Sequence, residues 1–301
     1  MSNLVLYAIP AFILAMVIEA LCVRGRTGIM GYEKRDSAAS ITMGLLAVIV
    51  SGATKLLISI PLFTVLYEHR LVDLGGAWWS WLVLLFAEDL CYYWFHRIHH
   101  EVRLLWSCHV NHHSSRYFNL STALRQPLLT PLTGPIFWAP LPLLGFPPWM
   151  VLTAQAWSLL YQFWIHTEAV DRLGPLEWVM NTPSHHRVHH SKNIAYLDKN
   201  HAGIFIIWDR WFGTFAREVE APVFGLTKDI DTFNPARIAF HELAAIGRDV
   251  ARAPTTLAKL GYAFAPPGWS HDGSSHTATQ LQRAARDAAG GRPDAPGVPQ
   301  A

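Results

Sequence analysis

Residues 89–113 read DLCYYWFHRIHHEVRLLWSCHVNHH, an apolar and aromatic run that closes on six histidines within the eighteen positions 96–113. The apolar part continues upstream to Ala77, a length close to the roughly 20 residues that a helix needs to cross a bilayer core of about 30 Å. Trp78, Trp79 and Trp81 open it, as an interfacial aromatic belt would. The stretch therefore predicts a membrane helix from Ala77 to about Phe95 that delivers histidines to the membrane surface. His96 and His100 are four apart, and His109, His112 and His113 form HxxHH. The same HxxHH spacing returns at His186, His189 and His190 in residues 181–190, NTPSHHRVHH. Side chains at i, i+3 and i+4 project together from a helix. Each group then presents two or three imidazoles to one metal, and eight neutral nitrogen donors suit two first-row transition ions.

Working outward, the chain has 301 residues, 51% of them hydrophobic and 15% charged. Its mean hydropathy is +0.19 although the last fifty residues are polar, so the remainder is more apolar still. Four further segments have the length of a span. Leu4 to Val23 contains Glu19 and lacks a basic start, which favours a retained helix over a cleaved signal. Ala38 to Tyr67 contains Lys55, which snorkels, faces the bundle interior or marks a break. Leu128 to Leu144, with Pro131, Pro135, Pro140 and Pro142, reads with Trp149 to Ile165 as a hairpin whose first arm is kinked. The expected fold class is all-α: an integral membrane bundle of about four to five transmembrane helices under a histidine-rich cap. Residues 1–252 form that unit, and 253–301 are expected to be a polar tail, unstructured from about Gly268.

In this topology the Arg24 to Asp36 loop, the Arg97 to Arg125 stretch and everything after His166 share one membrane face. Arg24, Arg26, Lys34 and Arg35 lie there, against Arg70 opposite. The positive-inside rule makes the histidine face cytoplasmic, in what reads as a bacterial inner membrane. A net charge of +2 from 24 basic and 22 acidic residues excludes the electrostatic footprint of a nucleic-acid binder. Cys22, Cys91 and Cys108 show no CxxC spacing, so neither a disulfide scaffold nor a thiolate zinc site is indicated.

Several residues near the motifs admit two readings. Asp89, seven positions before His96, is expected either to accept from the far ring nitrogen of a ligand histidine, fixing its tautomer, or to make a helix-packing hydrogen bond. Glu101 reads as a carboxylate ligand, a proton relay or a solvated acid. His166, at the end of a span, is a ninth metal-ligand candidate or a lone interfacial histidine. His185 is kept as a metal candidate although it and His99 fall off the recurring spacing, and His201 is less securely placed. A zinc peptidase needs H-E-x-x-H, but position 97 is arginine. A haem carrier would place single histidines deep in opposing spans. A metal transporter is the non-enzyme alternative, with Glu19, Lys55, Glu88 and Asp89 as its few polar groups near a midplane.

Segments 89–97, 111–115, 119–126 and 181–190, with 163–168 and 208–214, resemble the fatty acid hydroxylase and sterol desaturase superfamily of integral-membrane di-iron proteins. The motifs HxxxH, HxxHH and a second HxxHH carry the resemblance, which covers roughly residues 83–216. It implies two irons held by the eight spaced histidines, dioxygen and a long-chain lipid as substrates, and hydroxylation of a lipid C–H bond. Within the superfamily the segments are most similar to the branch that cleaves alkylglycerol-type ether lipids, which implies tetrahydrobiopterin as reductant. The alternative within the superfamily is hydroxylation or desaturation of a fatty acyl, sterol or carotenoid chain with electrons from a ferredoxin-type donor. One departure stands: animal members of that branch continue into further spans where this sequence turns polar after about residue 252. A shorter, bacterial-type relative is implied, with reductant and substrate both left open.

Overall fold

A computed structural model describes residues 4–288 and 290. Among the described residues every regular element is helical, with two isolated β-bridges, Met180 to Phe205 and Ser191 to Phe224. Four long helices frame the molecule: Leu4–Val23, Lys34–Thr54 running through a π-helical turn at Lys55–Ser59 into Ile60–Glu68, Trp78–Glu101, and Pro148–Trp164. Lys55 therefore does not break the helix into two pieces; it opens a π turn within one continuous helix, Lys34–Glu68.

Among the described residues one helix, Lys34–Glu68, is suited by length and composition to cross a membrane, and Tyr7–Val23 is apolar but shorter. The expected count of four to five spans is not reached on those criteria. The Leu128 to Leu144 segment is not one kinked arm. It forms three separate turns, Thr130–Thr133, Pro135–Trp138 and Pro140–Leu144, each with a proline in its first turn. A proline there has no N–H to lose to a helix bond but ends the turn before it. The long helix is bare on its apolar side, with Leu45, Ile49, Leu56 and Leu57 exposed.

Glu19 and Asp36, polar residues of the first two helices, are paired and bind them to the cap. Glu19 accepts from Leu120 N at 2.8 Å and from the hydroxyls of Tyr32 and Thr167. Asp36 pairs with the fully buried Arg125 and accepts from Ser115 Oγ, while Arg125 Nε donates to Ser40 Oγ at 3.1 Å. Desolvating such a pair without those extra hydrogen bonds would be unfavourable. The helix approaches the 122–124 turn so closely that a Cβ on Gly44 would lie 2.8 Å from Leu124 O.

Residues expected to form an unstructured tail fold instead. Helices Thr256–Phe264 and Ala278–Ala288 follow Pro235–Arg252. Arg103 pairs with Glu242 and Asp249 of the latter at 2.7 and 2.8 Å, and Gln282 Nε2 donates to Leu197 O at 2.8 Å. A start signal for the last helix was present: Thr277 N donates to Gln280 Oε1 and Gln280 N to Thr277 Oγ1, a reciprocal capping box. Residues 291–301 of that expected tail lie outside the described residues.

Candidate metal centre

Helix geometry sorts the histidines in a way the motifs alone do not announce. On an α-helix, residue i+4 sits about 40° past residue i, whereas i+3 falls about 60° short of it. In HxxHH the first and last imidazoles therefore travel together and the middle one diverges. In the structure His109 and His113 join His96, His100 and His189 in one group, and His186 and His190 join His112 and His166 in a second. Each HxxHH motif is split, its i+3 histidine serving the opposite group. The expectation that each motif serves one metal is corrected accordingly. The first motif also lies in tight i to i+3 turns rather than on an α-helix, with His112 N donating to His109 O and His113 N to Val110 O.

Within each group one ring nitrogen per residue lies within 4.8 Å of all the others, and all nine side chains are buried. In the five-histidine group His109 Nε2 is 3.0 Å from His96 Nε2 and 3.2 Å from His113 Nε2. In the four-histidine group His166 Nε2 is 2.9 Å from His186 Nε2 and 3.2 Å from His112 Nε2, and His190 Nε2 is 3.1 Å from His186 Nε2.

In four of the nine rings the opposite nitrogen is turned outward by a backbone carbonyl. Nδ1 of His96 donates to His201 O at 2.7 Å, that of His189 to Lys199 O at 2.9 Å, that of His166 to Gln162 O at 2.7 Å, and that of His112 to Arg125 O at 3.3 Å. A carbonyl accepts only, so Nδ1 holds the proton and Nε2 offers a lone pair inward. Burial first, and neighbouring imidazoles second, hold His113, His189 and His190 well below the ordinary histidine value, so these rings are neutral donors. His100 Nε2 and His189 Nε2 have no hydrogen-bond partner. Buried nitrogens left unpaired are unfavourable, and lone pairs crowded at 3 Å need a cation between them. The residues fit a pair of metal ions, one per group.

One segment serves the five-histidine group twice, since residues 199 and 201 supply both of its carbonyl acceptors. Asp209 accepts from His201 N and Ala202 N, each at 2.8 Å, and Asp89 accepts from Ile204 N at 2.7 Å, Phe205 N at 2.8 Å and Trp208 Nε1 at 2.9 Å. Gly203 sits where a Cβ would be 2.7 Å from Asp89 Oδ1. Asp89 thus touches no histidine ring, contrary to one expectation. Its partners are the amides and the indole of the segment that orients His96.

Glu101 is not drawn into either group; it accepts from Arg97 Nε at 2.7 Å and its side chain is 44% exposed. His185 is buried against Phe215 and outside both groups. His99 is likewise outside, its Nδ1 bonded to Phe95 O and its Nε2 to Thr133 Oγ1. His166, one of two readings at the sequence level, is in the four-histidine group. Residues that sequence reasoning missed are Asp209 and the carbonyls of 199 and 201, since backbone acceptors leave no mark in residue identity.

A sequence model of the fatty acid hydroxylase family matches residues 81–214, which include all nine grouped histidines. Residues 81–214 are a fatty acid hydroxylase domain. The chain is 43% identical over 266 residues to alkylglycerol monooxygenase of Homo sapiens, covering 87% of this chain and 59% of that protein. Against alkylglycerol monooxygenase of Danio rerio the identity is 47% over 192 residues, 64% of this chain and 43% of the relative. An ornithine lipid hydroxylase of Rhizobium tropici is 35% identical over 124 residues, 41% of this chain and 38% of that one. The chain spans about half the length of the curated relatives it matches. No solved structure matches it.

Proposed function

We propose that the hydroxylase domain is a membrane-bound, two-iron lipid monooxygenase that hydroxylates a C–H bond of a long-chain lipid, with alkylglycerol-type ether lipids as the leading substrate. The observation that carries this reading is the convergence of nine buried, neutral imidazoles into two groups. Such nitrogen donors suit iron, and iron bound there supplies the activation of dioxygen. The chain's own residues hold the donors by backbone carbonyls, exclude water through complete burial of the nine rings, and keep the site next to helices with bare apolar surfaces. Hydroxylation at the ether carbon inserts one oxygen atom; the other leaves as water with two electrons and two protons from a reductant. The hemiacetal so formed falls apart to a fatty aldehyde and glycerol. Similarity to alkylglycerol monooxygenases supports alkylglycerols as substrate, and tetrahydrobiopterin as the electron donor is what the motif resemblance implies.

Similarity to an ornithine lipid hydroxylase favours a second reading, hydroxylation of another lipid; the motif resemblance makes that a fatty acyl, sterol or carotenoid chain with a ferredoxin-type donor. A multi-pass arrangement with the histidine face on the cytoplasmic side, in a bacterial inner membrane, belongs to the proposal. Support comes from the basic 24–36 loop and from the bare Lys34–Glu68 helix. Glu101, outside the groups and on the rim, suits a proton relay better than a metal ligand. The test is incubation of iron-loaded protein with an alkyl glycerol, oxygen and tetrahydrobiopterin, followed by mass spectrometry. Fatty aldehyde is the expected product. A hydroxylated lipid with its ether intact selects the second reading, and metal uptake into proteoliposomes without any oxygen-dependent product contradicts both.

A further inference from the structure

His201 is completely buried, and neither of its ring nitrogens has a hydrogen-bond partner. Its ring centroid lies 5.0 Å from that of His100, 5.6 Å from His189 and 5.7 Å from His96. Ring separations inside the five-histidine group run from 4.3 Å for His96 to His189 up to 5.2 Å for His96 to His100, so His201 stands within that range of His100 and up to 0.5 Å beyond it from the other two, at the edge of the group. A buried imidazole with two idle nitrogens is unfavourable by the desolvation of each. Such a group is retained where it has a partner other than protein.

The surrounding chain is built to keep the ring there. Asp198 and Asn200 both adopt left-handed backbone conformations, with φ of 54° and 56°, a region that Asp and Asn enter more readily than other non-glycine residues. Asn200 is fully buried; its Nδ2 donates to His185 O and Ala216 O, and its Oδ1 accepts from Ala216 N. His201 N is fixed by Asp209 at 2.8 Å, while His201 O receives the Nδ1 proton of His96. Main chain and side chain of one residue thus face the same group.

We infer that His201 supplies a further nitrogen to the metal of the five-histidine group, outside the HxxxH and HxxHH motifs. This rests on the reading of the two groups as metal sites. The test uses full-length protein loaded with iron(II), with chelator competition to measure the affinity of each ion and X-ray absorption to count nitrogen neighbours. The wild-type protein should bind two ions; fewer would break the underlying reading before His201 is at issue. With two ions bound, His201→Ala should weaken one ion by more than about 100-fold, beyond the roughly 10- to 100-fold typical of groups that only orient a ligand. The other ion should keep its affinity, and added imidazole should restore the lost one. His201→Gln, which keeps bulk and an amide, should melt as the wild type yet show one nitrogen neighbour fewer. Two ions at wild-type affinity with an unchanged spectrum in His201→Gln, or equal weakening of both ions without imidazole rescue in His201→Ala, would overturn the inference.

Discussion

The five-histidine and four-histidine groups draw on the same two HxxHH motifs, yet different parts of the chain hold them. The first hangs on the end of the Trp78–Glu101 helix and on residues 198–205, whose amides are clamped by Asp89 and Asp209. The second hangs on the end of Pro148–Trp164 through Gln162 O and on Arg125, itself locked to Asp36 of the long Lys34–Glu68 helix. Thr167, next to His166, bonds Glu19 of the first helix. One centre is thus oriented by carboxylates acting through a loop, the other by helices meeting at their ends. The lesson is that a shared motif does not make a shared scaffold, and the two sites can be broken separately.

The largest effect expected from breaking that comparison is at a ring itself. His166→Ala should lose the ion of the four-histidine group and drop turnover to background, whereas His185→Ala and His99→Ala should keep both ions, as metal analysis of purified variants would reveal. Next come the clamps. Asp209→Asn or Asp89→Asn should weaken the five-histidine ion by about 10- to 100-fold and leave the four-histidine ion alone in the same chelator titration; equal loss at both sites would erase the distinction drawn here. Gly203→Ala forces a methyl against Asp89 Oδ1 and the Tyr92 ring, at 2.7 and 2.8 Å. Overpacking of this kind is unfavourable by about 1–3 kcal/mol, readable as a lowered melting temperature. Smallest is Gln282→Ala, which removes hydrogen bonds from the last helix to Ile194 O and Leu197 O. It should destabilise by about 0.5–1.5 kcal/mol with turnover unchanged.

How legible the site was in the sequence depends on what each part is made of. The eight spaced histidines could be read directly because metal ligation demands both residue type and helical spacing. Their division between two centres is legible in the spacing only at the α-helical second motif, where the roughly 100° turn per residue separates i+3 from i and i+4; the first motif lies in i to i+3 turns to which that rule does not apply. His166 was visible only as a histidine at a helix end. Of the two readings open for Asp89 its sequence context does not choose the packing hydrogen bond, because its partners include main-chain amides 115 and 116 residues away, which no local pattern encodes. Span counting erred at Leu128 to Leu144 since hydropathy outweighed four prolines, and the C-terminal helix was overlooked although Thr277 and Gln280 spell its cap.

The central claim is that each HxxHH motif feeds two different metal ions. Metal content and X-ray absorption of His109→Ala and His112→Ala, two residues three positions apart in one motif, test it most directly. The account predicts that each variant retains one ion and that the retained ions differ: the four-histidine ion in His109→Ala, the five-histidine ion in His112→Ala. The same ion missing from both variants, or wild-type protein holding less than one ion after iron loading, would contradict it.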